Sequence, residues 1–312
     1  MRIDEIRNIL PEASLDKFDD ITQVRVLGAS KHIGLIYQIV IDILNTNETL
    51  EVKLKKVDRV IEFFIITRGK SSVAITNQLN SLRKRIHDCK AKTSESIKEI
   101  VENESLNLEI DINKIVKYAL NIADKMKRIL VYDYSSTVEE FLKKLPTDVE
   151  VVVPESRSLN GGAPFVKSLI ETNHKVRFVV DASLYSEVRN CDAVFIGAET
   201  YCFDGSTYNT IGSEMLAFIC AKMQIPYYVL TPTNKVYIDS LFGKTRQIIK
   251  KDLRHKFEYL FDESIKDKID FENVELVQIR GDYITLYITE FGVCNPYDLR
   301  GFLKENCPNY FV

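Results

Sequence analysis

The chain predicts an α/β protein, with a helical N-terminal domain over residues 1–118 and a parallel-sheet domain over residues 119–312 that carries helices on both faces. Three observations carry this reading. In the first third, apolar residues recur at spacings of three and four, the period of a helix with one buried face. After residue 118 the pattern changes to short β-branched runs separated by amphipathic stretches, the alternation of strand and crossover helix that builds a parallel sheet. Nearly every run then ends in polar or small residues, which sets a polar rim along one edge of the sheet.

Helices are predicted over residues 33–44, 50–66, 71–86 and 94–104, none of which alternates like a strand. Strands are predicted over 129–132, 149–153, 176–180, 193–196, 227–230 and 284–288. Their carboxyl ends read Tyr132-Asp133-Tyr134-Ser135, Pro154-Glu155-Ser156-Arg157, Asp181-Ala182-Ser183, Gly197-Ala198-Glu199, Thr231-Pro232-Thr233-Asn234-Lys235 and Thr289-Glu290. An open α/β sheet binds its ligand outside these ends, so one edge collects Asp133, Arg157, Asp181, Glu199 and Lys235. Singly, each is also a good helix cap or turn residue, Asp181 and Ser183 above all. As a set they describe a crevice. Residues 250–273 are charged and read as a helix plus a surface loop.

Within residues 191–235 the apolar run 193–196 delivers Glu199 to the edge, and Asp204-Gly205 forms a turn. Thr210, Gly212 and Ser213 then open a helix whose free N–H groups suit an anion. Two further segments, Gly28-Ala29-Ser30-Lys31 and Arg68-Gly69-Lys70-Ser71, each combine a helix N-terminus with small residues and a cation, a recipe for phosphate. The second contains Gly-Lys-Ser, but Phe64 stands where a P-loop requires glycine, and Gly161-Gly162 lacks the spacing of a dinucleotide fingerprint.

The 312 residues are 45% hydrophobic and 28% charged, ordinary for globular protein and enough for two domains. A net charge of -3 offers no general attraction for nucleic acid, and the basic runs at 83–85 and 125–128 read as solvated helix faces. Six cysteines and four histidines show no metal-ligand spacing, so neither metal nor cofactor is expected. The N-terminus lacks an apolar leader and the apolar runs are too short for a bilayer. A soluble cytoplasmic protein with reduced thiols is expected, without a membrane or direct nucleic-acid partner.

The stretch from Gly197-Ala198-Glu199 through Asp204-Gly205, Asn209, Ile211-Gly212-Ser213 and Pro226-Tyr227-Tyr228-Val229 to Lys235 resembles a signature. It is shared by the alpha, beta and delta regulatory subunits of eukaryotic translation initiation factor 2B, methylthioribose-1-phosphate isomerase and ribose-1,5-bisphosphate isomerase. Further matches are Glu155-Ser156-Arg157 with Gly161-Gly162, Val180-Asp181-Ala182, and Ile288-Thr289-Glu290-Phe291-Gly292. Gly28-Ala29 and Thr67-Arg68 through Val73 extend the likeness into the helical half, with Gly69-Lys70 where the family has Pro-Thr.

The resemblance implies a helical domain on a Rossmann-like domain that forms a homodimer, with a sugar phosphate between the domains in the isomerases. Carried over by position and joined to the residue reading, the ligand or phosphate candidates are Gly28, Ala29, Ser30, Arg68, Lys70, Ser135, Arg157, Asn209, Gly212, Ser213, Asn234 and Lys235. Two departures bear on chemistry. Asp133 stands where the isomerases carry a cysteine, and Glu199 where they carry an aspartate; the Glu199 triplet and the Tyr134-Ser135 pair are features of the alpha-type subunits. Two functions follow. One is a regulatory-type subunit that binds a phosphorylated sugar or nucleotide and assembles with other subunits. The other is an aldose–ketose isomerase with Asp133 and Glu199 as acid and base, since mutual repulsion would raise one pKa of a facing pair.

Overall fold

Apolar residues at helical spacing close the first core. The computed structural model describes residues 2–23, 25–26, 28–69, 72–90 and 92–311. They divide into two compact units, Met1–Asn113 with Asn234–Val236, and Lys114–Thr233 with Tyr237–Val312. The first unit holds α1 (Ile3–Arg7), α2 (Leu15–Thr22), α3 (Ala29–Leu44), α4 (Leu50–Thr67), α5 (Val73–Asp88) and the start of α6 (Ser94–Ala123). Ile36, Ile39, Val40 and Ile43 of α3 meet Val57, Val60, Ile61 and Phe64 of α4 and Ile75, Leu79 and Leu82 of α5 in one buried cluster. Phe18, Phe63 and Phe64 pack with ring centroids 5.2–5.7 Å apart, a spacing that favours tilted aromatic contacts. The helix predicted at 94–104 runs on to Ala123, through the expected boundary at 118.

The second unit alternates β1 (Arg128–Val131), α7 (Ser136–Lys143), β2 (Glu150–Pro154), α8 (Gly162–Glu171), β3 (Lys175–Val179), α9 (Leu184–Val188) and β4 (Ala193–Gly197). Then come β5 (Thr200–Tyr201), β6 (Thr207–Thr210), α10 (Ser213–Met223) and β7 (Tyr227–Leu230). The remainder is β8 (Lys250–Asp252), α11 (Arg254–Phe257), α12 (Glu263–Lys266), β9 (Glu272–Val274), β10 (Leu276–Ile279), β11 (Leu286–Thr289), β12 (Gly292–Cys294) and α13 (Leu299–Asn306). The main sheet runs β12-β11-β7-β4-β1-β2-β3, all parallel except β12. Every residue of β4 and β7 is buried, as expected of parallel strands covered on both faces, and such strands read as unbroken apolar runs. The helical N-terminal region and the parallel sheet thus match the predicted class.

Two local readings change. Thr210 does not open a helix: it ends β6, paired with Leu276 of β10, and α10 starts at Ser213. Thr-Tyr-Asn-Thr alternates and finds a cross-strand partner about seventy residues on, which local pattern cannot reveal. Residues 250–273 are not simply helix and loop, because Lys250–Asp252 pairs antiparallel with Glu272–Val274 around two single-turn helices.

Candidate ligand site at the carboxyl edge of the sheet

Strand order reverses between β1 and β4, which pair in parallel with Val131 opposite Phe195, and a crevice opens beyond such a switch point. Asp133 leaves β1 and Glu199 leaves β4 on this edge. Asp133 is buried, and its carboxylate accepts hydrogen bonds from Ser156 Oγ at 3.1 Å and Thr210 Oγ1 at 2.5 Å. Burial pushes its carboxyl above the usual range; hydrogen bonds from Thr210, Ser156 and the Tyr134 N–H oppose that rise, and nearby Asp181 adds to it. Asp181 in turn accepts the backbone N–H groups of Ser156 and Arg157, both at 2.9 Å, which pins the loop after β2.

The turn is strained as well as tied. Asp133, Ser156 and Asn160 have φ of 58°, 47° and 55°, a left-handed region that non-glycine residues enter at a cost and that clusters at functional sites. Gly161 admits the carboxylate, for a Cβ there would lie 1.9 Å from Asp133 Oδ1. Buried tyrosines hold the neighbouring loops by donating to backbone carbonyls: Tyr132 to Ile211, Tyr227 to Ser213, Tyr201 to Thr233 and Tyr287 to Gly205. Glu290 accepts from the Thr233 N–H and hydroxyl, closing the edge beyond β7.

The structure sorts the sequence candidates in this unit. Ser135 caps α7, its Oγ accepting from the Val138 N–H at 3.4 Å. The fully buried Ser213 donates to the Thr210 carbonyl at 2.6 Å, and Gly212 caps α10 with φ 99°, where a Cβ would strike the Tyr132 hydroxyl. Asn209 is buried in β6 opposite Val277. Arg157 is exposed, its guanidinium donating to Tyr259 Oη at 3.0 Å. Glu199 is half-buried, with its N–H on the Tyr208 carbonyl. Sequence reasoning missed Ser156 and Thr210 as partners of Asp133. Their hydroxyl types were visible, but the pairing is tertiary.

In the helical unit Gly28 caps α3 with φ 97°, leading into Ala29 and Ser30. Arg68 is not at a helix N-terminus: it caps the carboxyl end of α4, where a cation meets the negative end of the dipole, and α5 is capped by Ser72 instead. Lys70 lies outside the described residues. Lys235 is 9% exposed, and the carbonyls on either side of it, Asn234 and Val236, both accept from Asn77 Nδ2 at 2.8 and 2.9 Å. The Asn234 amide donates to Gln78 Oε1, which spends that nitrogen inside the unit.

The buried cysteines near the sheet are poor nucleophiles. Cys202, three residues past Glu199, is 3% exposed and burial pushes its thiol up to about 11; Cys191 and Cys220 rise to about 12. Such thiols stay protonated and inert near neutral pH. Among the described residues no cluster of three metal-ligating side chains forms, and no helix is long and apolar enough to cross a membrane.

A profile of the initiation factor 2 subunit family matches residues 29–296. The chain belongs to that family. Within it, ribose 1,5-bisphosphate isomerase of Archaeoglobus fulgidus is 29% identical over 171 residues, 54% of each chain. The enzyme of the same name from Thermococcus kodakarensis is 22% identical over 248 residues, 78% of this chain and 73% of that one. The chain thus spans about half the length of the Archaeoglobus relative it matches. Among solved structures, translation initiation factor eIF-2B of Pyrococcus horikoshii superposes with a TM-score of 0.74 at 19% identity, over 92% of this chain and 98% of that one. The 5-methylthioribose 1-phosphate isomerase of the same organism gives 0.73 at 18%, over 98% and 91%. At that identity the likeness speaks for the fold of the initiation factor 2 subunit family alone.

Proposed function

We propose that this chain is a cytoplasmic, regulatory-type member of the family that binds a phosphorylated sugar or nucleotide at the carboxyl edge of its Rossmann-like sheet. It needs no cofactor and works as a homodimer that joins other subunits. The observation that carries the reading is the state of Asp133. Of the roughly four lone-pair positions of a carboxylate, three are taken by Ser156, Thr210 and the Tyr134 N–H, and Gly161 packs against the group. An aspartate so occupied shapes a loop and has little left with which to reach a substrate. In solved form, a relative described as a tetrameric eIF2B beta2-delta2 complex is consistent with such assembly.

Ligand binding is tested by thermal shift and calorimetry with sugar phosphates and nucleoside monophosphates. One of them should stabilise the protein by about 2.7 kcal/mol at a hundred times its dissociation constant, and Lys235→Ala should weaken it. Silence across the panel removes the reading.

A second reading, an aldose–ketose isomerase with Asp133 and Glu199 as acid and base, has one observation in its favour. Burial raises the Asp133 carboxyl toward the pH at which a general acid works. It predicts that Glu199→Gln abolishes turnover of ribose 1,5-bisphosphate while affinity survives. Unchanged turnover, or none in the wild type, rules it out.

A further inference from the structure

Lys256 is a half-buried cation that, among the described residues, has no carboxylate within ion-pair distance. Its ammonium donates instead to the Arg157 carbonyl at 3.4 Å, one residue from the Ser156 hydroxyl that holds Asp133. Burial, then the like charges of Arg157 and Lys251, hold it below the usual lysine range, with Asp133 opposing. A cation in that position is held by the fold at a cost that an anion would offset.

The groups around it suit one kind of anion. The Arg157 side chain is 45% exposed, with its guanidinium 5.7 Å from the Phe257 ring centroid and a nitrogen on Tyr259 Oη. On the same loop, the Ser158 hydroxyl is buried with no hydrogen-bond partner among the described residues, beside a cavity of about 10 Å³ that Lys251 and Asn273 also line. A guanidinium fork, an ammonium and hydroxyls match a group with two charges and three acceptor oxygens, whereas a carboxylate would be satisfied by the fork alone. One carboxylate competes: Glu155 lies 3.7 Å from Arg157.

We propose that Arg157, Lys256 and Tyr259 form an anion subsite for a phosphoryl group beyond the end of β2, with Lys256 the residue that separates a phosphorylated ligand from its unphosphorylated form. The subsite rests on the sugar-phosphate reading of this edge and adds to it a residue from the 250–273 stretch. Calorimetry with ribose 5-phosphate and with ribose tests it, alongside acetylation of Lys256 by acetic anhydride, followed by mass spectrometry with and without inorganic phosphate.

Lys256→Gln should weaken ribose 5-phosphate about tenfold and leave ribose unchanged, the loss of one charge-assisted contact. Lys256→Arg should restore most of the affinity, Glu155→Gln should tighten it, and phosphate should slow acetylation of Lys256. Equal affinity in Lys256→Gln and wild type, or acetylation indifferent to phosphate, overturns the subsite. If Lys235→Ala weakens ribose 5-phosphate binding while Lys256→Gln leaves it unchanged, the subsite falls and the broader reading stands. If the wild type ignores ribose 5-phosphate and every other sugar phosphate and nucleotide tried, yet phosphate protects Lys256, the broader reading falls and the anion subsite stands. If no phosphorylated ligand binds and phosphate does not protect Lys256, both are gone.

Discussion

The helical unit and the carboxyl edge of the sheet are both buried, but they bury different things. Between α3, α4 and α5 the core is almost wholly hydrocarbon and phenyl ring, and the buried polar side chains of this unit are fewer, among them His32 on α3, Lys53 on α4, and Gln78 on α5, which donates to Glu104 on α6 at 2.8 Å. At the edge, by contrast, Asp133, Ser156, Thr210, Ser213, Thr231, Thr233 and Glu290 are all buried within a few loops and are largely tied to one another or to nearby backbone. Apolar burial stabilises by area and tolerates approximate fit. Polar burial must find partners, and an orphaned group costs more than a made bond returns. The first region is therefore built to be stable and the second to hold a shape.

That contrast breaks first under core truncation. Phe64→Ala removes a fully buried ring that packs on Phe18 and Phe63, and should cost about 3–5 kcal/mol in urea unfolding. A loss under 1 kcal/mol would mean the helical core is not a stability reservoir. At the edge the corresponding change keeps volume and deletes one donor. Thr210→Val strips Asp133 Oδ2 of its 2.5 Å partner and should cost about 1–3 kcal/mol. If Thr210→Val is neutral while Asp133→Asn is severe, the two are not coupled and the network is only apparent.

The comparison also explains what the sequence disclosed. Helices α3 and α4 and strands β4 and β7 were legible because period and apolar runs are local properties, repeated along the chain. The edge residues Asp133, Glu199 and Arg157 were legible as strand ends. Their partners were not, since Ser156 and Thr210 reach Asp133 from 23 and 77 residues away and no local pattern encodes that. Arg68 misled because a cation beside glycine fits either end of a helix, and the deciding fact is which helix ends there. β6 was hidden because its partner β10 lies beyond the whole stretch taken by β7, β8 and β9.

A smaller effect is expected where the helical unit holds the segment around Lys235, a ligand candidate from the sequence, by polar means. Asn77→Leu removes both hydrogen bonds to the carbonyls flanking Lys235, at about 1 kcal/mol net each. Stability should fall by about 1–2 kcal/mol, and acetylation of Lys235 should accelerate. Faster acetylation is the sharper readout, because ordinary loss of packing elsewhere would not select that lysine. Equal rates would show that Asn77 does not fix it.

The least costly change separates most cleanly the two roles open to Asp133. Its folded carboxyl lies above its ordinary value, so between that value, near 3.8, and the raised one the native state holds more protons than the unfolded chain. Stability should then fall as pH rises through the window, the opposite of an aspartate paired with a cation. Asn at this position keeps the left-handed turn, since φ of 58° suits Asn as well as Asp. It also keeps the network, because the Ser156 and Thr210 hydroxyls can each donate or accept. Asp133→Asn should therefore change stability at pH 7 by no more than about 1 kcal/mol, in either direction, and should flatten the decline that sets in as pH rises above the ordinary carboxyl value. If the substitution costs several kcal/mol at pH 7 and stability instead rises with pH through this window in the wild type, the carboxylate is charged and paired in the fold. The edge would then be organised around a buried anion, and a proton-transfer role for Asp133 would lose its one physical support.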